Sequence, residues 1–225
     1  MAEARARTPQ PWPVRLTHWL NLPLLVIMWG SGLQIFAAFP SLGPRGEAYA
    51  WYPFHGIAPP AWLRLGEWLA GARHWHFAFA WFFVLNGIVY AGYLAASGEW
   101  RRRLFSPRRD TRNALATLAY YLRVKKTAPP QTLYNGLQRL AYTSVLPLAI
   151  VMIASGLAIY KPVQLAWLAR LFGGYDGARA VHLLGLASLA LFSVLHVVMV
   201  ALHPRAFVDM ITGGKPEVPR ATDAT

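Results

Sequence analysis

The 225-residue chain is 56% hydrophobic and 14% charged, with 22 Lys and Arg against 9 Asp and Glu. That balance lies outside the usual soluble range. The basic residues fall in the gaps between long apolar runs, which excludes a basic nucleic-acid-binding face, so no nucleic-acid partner is expected. Cysteine is absent from the sequence, which excludes disulfides, thiolate-held iron–sulfur clusters, cysteine zinc sites and covalently attached c-type haem.

In chain order, the opening "MAEARARTPQPWPVR" is polar and proline-bearing. It reads as an uncleaved cytoplasmic tail, since the apolar run after it is too long for a signal-peptide core. Four apolar segments follow, at residues 17–39, 75–96, 140–160 and 180–202. Each is near the ~20 residues that cross a bilayer as a helix. Each is apolar all round, so none is a merely amphipathic surface helix. Pro147 inside the third is tolerable because neighbouring helices satisfy the freed carbonyl. The fold class expected is an all-α integral membrane protein, a four-transmembrane-helix bundle. The whole chain forms one membrane domain with short tails at 1–14 and 206–225. Its immediate partner is membrane lipid.

Between the first two segments lies an aromatic stretch, "YAWYPFHGIAPPAWLRLGEWL". It suits an interfacial aromatic belt or a docking platform for an extramembrane partner, and residues 61–69 suit a short interfacial helix. Between the second and third segments Lys and Arg are dense, from Arg101, Arg102 and Arg103 through Arg108, Arg109, Arg112, Arg123, Lys125 and Lys126 to Arg139. The bias in Lys and Arg places this middle segment, and with it both termini, in the cytoplasm.

Titratable side chains inside a span are costly and point to function. His18 opens the first segment on the cytoplasmic side, His76 the second and His182 the fourth on the outer side, and His196 lies further along the fourth. The step from His182 to His196 returns to within about 40° of the same helix face with a rise of ~21 Å. One metal ion cannot use both, but two stacked cofactors, each ligated from the opposite side by another helix, use both. His182 and His76 each sit three residues inside an arginine, Arg179 and Arg73, which matches them in depth. His74 points ~200° away from His76 on a helix. On the inner side His18 is the first-segment candidate, three residues inside Arg15. Its partner is His196 or, one heptad on, His203. His196 lies nine residues inside Arg205 and so about 9 Å out of register in depth, whereas His203 matches in depth. Helix tilt can absorb part of the mismatch, so depth leaves that choice open.

Two bis-imidazole haems are the economical reading of such pairs, because helix bundles supply apolar slots for them. Gly30, Gly32, Gly87, Gly156 and Gly185 offer room between backbones, though small residues also serve ordinary packing. Arg15, Arg73 and Arg179 suit haem propionates or simple boundary charges. A transporter or proton-relay protein using the histidines without haem is the main alternative, and it calls for more polar mid-span residues than the chain has.

Several stretches carry a family resemblance. "RHWHFAFAWFFVLNGIVY", "LYNGLQRLAY" and "FGGYDGARAVHLLGLASLALFSVLHVVMV" resemble the second-helix, third-helix-entry and fourth-helix segments of membrane cytochrome b subunits of thiosulfate reductase type. Those subunits are related to the cytochrome b subunits of formate dehydrogenase and nickel–iron hydrogenase. The resemblance implies that His18, His76, His182 and His196 are the axial ligands of two b haems, and it favours His196 over His203. It also implies a bacterial inner membrane and electron transfer with quinone or quinol. The partner it implies is a periplasmic catalytic redox subunit, expected to contain molybdopterin, or an electron carrier. No substrate chemistry of the chain's own is expected. Tyr134, Asn135 and Gln138, at the cytoplasmic mouth of the third segment, are candidate quinone contacts; Asn135 also suits a helix cap.

Overall fold

The computed structural model describes residues 9–44, 47–130 and 133–215, and its long elements are helices. Four of them are long and apolar enough to cross a membrane. They are α1 (Trp12–Ala37), α2 (Leu69–Ser97), α5 (Gly136–Tyr160) and α7 (Gly174–Leu202). Short helices fill the gaps: α3 (Trp100–Arg103), α4 (Pro107–Tyr121), α6 (Ala166–Leu171) and α8 (Pro204–Thr212).

Each long helix starts before the apolar segment expected from the sequence. Hydropathy marks the depth of lipid, whereas the helix continues into polar flanks wherever backbone bonding can be completed. Pro13 in the first turn of α1 lets that helix begin outside the apolar run, since the missing N–H is one that a helix start leaves unbonded anyway. The interfacial helix expected over 61–69 is only a 3-10 turn, Ala61–Leu63. Arg64 is already extended (φ −101°, ψ 142°), which ends the turn, and Gly66 and Glu67, at positive φ of 104° and 55°, redirect the chain into α2. The tail expected at 206–225 still carries helix as far as Thr212.

Close backbone packing falls within two helix pairs, α1 with α2 and α5 with α7. Asn86 of α2 joins the first pair, donating to the Thr17 carbonyl at 2.8 Å and to Asn21 Oδ1 at 2.9 Å. The two pairs meet through side chains. Phe77 packs on Tyr160 with ring centroids 4.3 Å apart, and Arg179 reaches from α7 to the Phe39 and Ser41 carbonyls at 3.0 Å. Around the outside, large apolar residues such as Trp81, Phe82, Leu85, Ile150, Leu191 and Val194 are exposed. A surface this apolar on every side belongs in lipid.

One end of the bundle gathers the basic segment and both ends of the described chain. The Gln10 N–H donates to the Gly213 carbonyl at 3.1 Å, and Arg103 donates to Gln10 Oε1 at 3.0 Å and to the Pro9 carbonyl at 2.7 Å. Here α4 lies against α5 on buried Asp110, Ala114 and Thr117. Asp110 accepts from Arg109 at 2.8 Å, from the Ser106 N–H at 2.9 Å and from Arg139 at 3.0 Å.

The Arg109 guanidinium bonded beside it, helped by the Ser106 N–H and by Arg139, holds the Asp110 carboxyl down at about 2. A depressed carboxylate contributes stability that is complete above its unfolded value near 4 and is lost as pH falls through the folded one. Asp110→Asn should therefore lower the thermal midpoint of the detergent-solubilised protein, by about 3 kcal/mol in stability at neutral pH. The decline of the wild-type midpoint between pH 4 and pH 2 should be flattened in the variant. Thermal unfolding followed across pH checks both.

Candidate metal centre

Helix α7 carries two histidines, and each meets a histidine from a different helix of the other pair. The ring of His182 faces that of His76, from α2, with centroids 6.2 Å apart. The ring of His196 faces that of His18, from α1, with centroids 5.8 Å apart. An imidazole nitrogen lies about 2 Å from a metal it binds, so two rings on opposite sides of one ion have centroids roughly 6 Å apart. Among the described residues no three His, Cys, Asp or Glu side chains cluster around one point. Each pair offers two nitrogen ligands, and a metal held there must bring its other ligands with it, as haem iron does.

The sequence suggested a depth mismatch between His18 and His196, measured from Arg15 and Arg205. In the fold the mismatch disappears, because neither arginine marks a boundary. Arg15 lies inside α1, and Arg205 lies in α8, beyond the turn that ends α7 at Leu202. His18 lies as far from the start of α1 at Trp12 as His196 lies from the end of α7. His203 is the exposed residue between α7 and α8, and its Nδ1 sits 2.9 Å from the Met199 carbonyl. His74 is exposed. His55 is held in the first loop, with Nε2 3.1 Å from the Tyr49 carbonyl.

The glycines divide by use. A Cβ at Gly32 or at Gly156 would stand 3.2 Å from the ring of His76 or His182, so these two make room for the imidazoles. Gly30 lets the Leu65 segment approach, and Gly185 admits the side chain of Met152. Gly87 faces open space on the exposed side of α2 and leaves no room inside the bundle. Beside the two glycines stand buried serines that the sequence reading passed over. Ser31 Oγ is 3.0 Å from His76 Nδ1, and Ser155 Oγ is 3.0 Å from His182 Nδ1. The His18–His196 pair has a different surround. His196 stacks on Phe192 at 5.8 Å, meets the edge of Tyr142 at 5.9 Å, and keeps a buried Nδ1 with no partner among the described residues.

The three arginines are deployed unequally. Arg15 donates to the Ile211 carbonyl, while its buried Nε has no partner among the described residues. Arg73 is exposed, with its guanidinium 5.6 Å from the Phe77 ring centre. Arg179 is engaged with the Phe39 and Ser41 carbonyls and with Asp176 at 3.8 Å. Asn135 and Gln138 form a reciprocal cap on α5, the Gln138 N–H donating to Asn135 Oδ1 at 2.8 Å and the Asn135 N–H to Gln138 Oε1 at 3.2 Å. Asn135 Nδ2 stays buried without a partner among the described residues. The Tyr134 hydroxyl accepts from Arg103 at 3.0 Å, and the ring lines a cavity of about 410 Å³ shared with Arg101, Arg109, Asn113 and Arg139.

An apolar helical bundle with imidazoles paired in its interior is the framework of a membrane cytochrome b, a multi-pass protein that binds haem b and transfers electrons. The chain belongs to the prokaryotic cytochrome b561 family, whose sequence model matches residues 10–213. It is also similar to a protein of Azospira oryzae that carries the name protein-methionine-sulfoxide reductase subunit YedZ1. The two are 38% identical over 203 residues, covering 90% of this chain and 94% of that relative. No solved structure matches the chain.

The glycine contacts give a direct check. Gly32→Leu and Gly156→Leu should lower the haem b bound per chain, because the added side chain displaces a histidine ring. Gly87→Leu, at a position facing open space, should leave the haem content unchanged. Pyridine haemochrome quantification of the purified variants measures this.

Proposed function

We propose that the chain is a di-haem electron-transfer subunit, with one haem b held between His76 and His182 and a second between His18 and His196. The observation that carries this reading is the pair of imidazole contacts stacked along α7, at 6.2 and 5.8 Å between ring centroids. Both spacings suit axial ligation of one iron by two rings. Bound haem supplies one-electron transfer. The chain's own residues do the rest: the histidines hold the metal, the apolar helices exclude water, and Gly32 and Gly156 keep the ligand rings seated. Arg15, with its unpartnered buried Nε, is the propionate partner best supported. Arg73 and Arg179 fill that role less well, being exposed and already engaged with loop carbonyls respectively.

The dense basic segment and both termini then face the cytoplasm of a bacterial inner membrane, and the His76–His182 end faces the periplasm. Quinone or quinol exchanges electrons at the cytoplasmic mouth of α5. Asn135 Nδ2 and the Tyr134 side chain meet its oxygens there, while Gln138 supports them through the cap. The electrons pass to a catalytic oxidoreductase subunit on the outer side. The name of the Azospira relative directs that partner towards methionine sulfoxide reduction, and the wider resemblance to thiosulfate-reductase-type subunits directs it towards a molybdopterin enzyme. Methionine sulfoxide reduction takes two electrons and two protons and releases water, so the chain must deliver electrons singly, twice per turnover.

A reduced-minus-oxidised optical spectrum with haem quantification should give two haems b per chain. Replacing His76 or His182 by Ala should remove one of them, and replacing His18 or His196 should remove the other. His74→Ala and His203→Ala should keep both. A single haem in the unaltered chain, or equal loss from the His203 variant, would sink the assignment.

A further inference from the structure

Ser31 and Ser155 are both 0% exposed, and each touches a histidine on the neighbouring helix of its pair. The direction of that contact follows from a second one. Ser31 Oγ lies 2.6 Å from the Ile27 carbonyl, and Ser155 Oγ lies 2.7 Å from the Val151 carbonyl. A carbonyl only accepts, so at such a distance the hydroxyl proton must lie between the two oxygens. The serine oxygen then presents lone pairs to the imidazole, and only an Nδ1–H can satisfy them. His76 and His182 are thereby fixed as the tautomer with its proton on Nδ1 and its free lone pair on Nε2.

The arrangement occurs twice because the chain repeats itself. "PLLVIMWGSGLQIF" in α1 matches "PLAIVMIASGLAIY" in α5, so that Pro23, Met28, Ser31 and Gly32 correspond to Pro147, Met152, Ser155 and Gly156. The starts of α2 and α7 match likewise, "GARHWH" with "GARAVH". Bonding a serine hydroxyl back to the carbonyl one turn earlier is a common way to hide it in an apolar helix. That need does not account for the second contact, which reaches another helix and finds a histidine in both repeats. The inner pair breaks the symmetry. The positions equivalent to His18 and His196 are Tyr142 and Tyr90, and His196 Nδ1 has no partner among the described residues.

We propose that Ser31 and Ser155 are positioning residues for the His76–His182 centre. Each accepts the Nδ1–H of its histidine and aims Nε2 at the metal. By drawing on that proton each makes the ring a stronger donor, which favours ferric over ferrous iron and lowers the potential of this haem. The proposal rests on the di-haem reading given above and adds the asymmetry between its two centres.

Potentiometric titration of the purified full-length protein tests it, using Ser31→Ala, Ser155→Ala, the double variant, and Ser31→Thr and Ser155→Thr. Each Ala change should move one haem towards the ferrous form, with a shift in equilibrium on the order of tenfold, which is ~59 mV for a one-electron couple. The other haem should stay where it was. The Thr variants, which keep the hydroxyl, should titrate as the unaltered chain. If an Ala change depletes the haem altogether, restoration by Thr supports the same role. Unmoved potentials in the double Ala variant, a shift shared by both haems, or Thr variants that behave as Ala does overturn the proposal. An unaltered chain without two haems overturns the di-haem reading itself, and the starting spectrum distinguishes that failure from the others.

Discussion

An imidazole inside a bilayer has two nitrogens and few ways to satisfy them, and this constraint organises the bundle. An unmet polar group in an apolar interior costs several kcal/mol, so each intramembrane histidine needs a purpose for both of its nitrogens. At one end the serines contact one nitrogen of His76 and of His182. At the other the rings of His18 and His196 face each other, with Phe192 and Tyr142 against His196. The close glycines and the opposed rings follow from placing these groups in a shell that is otherwise apolar.

The two helix pairs are built on one pattern and then differentiated. Both contribute a serine and a glycine from the first helix and a histidine from the second, and the surround of the His76–His182 pair is near-symmetric for that reason. The His18–His196 pair draws its histidines from α1 and α7 and has tyrosines at the two equivalent positions. The same residue type thus stands in two different surroundings within one bundle. The polar end of the bundle does different work. The buried Arg139–Asp110 pair ties α4 to α5, and Arg103, paired with Glu99, bonds Gln10 and the Pro9 carbonyl just ahead of α1.

Much of this was legible in the sequence. Apolar length marked four spans, because a bilayer accepts little else, and the step from His182 to His196 placed both rings on one face of α7, because helical periodicity is rigid. Depth beside Arg73 and Arg179 matched His76 with His182, and the structure sets those rings together. Depth left the partner of His18 open between His196 and His203, and the fold set it against His196. Other features were not legible. The helix starts were missed because hydropathy does not report backbone bonding. The expected helix over 61–69 ended at Leu63, where Arg64 becomes extended, and Gly66 and Glu67 then take the positive φ with which the chain meets α2. The serines were overlooked because a serine in an apolar helix ordinarily bonds its own backbone, although the duplicated "SGL" marked them.

The sequence by itself determined that four segments are apolar and long enough to cross a membrane, and that His182 and His196 share a helix face, because hydropathy and helical spacing are local properties. Only the tertiary structure decided which nitrogen of His76 and His182 is occupied, that Gly32 and Gly156 make room for rings while Gly87 does not, and that Asn135 and Gln138 cap α5. Those outcomes depend on what a neighbouring helix presents at a distance of about 3 Å, where hydrogen bonds form. No spacing along a single helix can specify that.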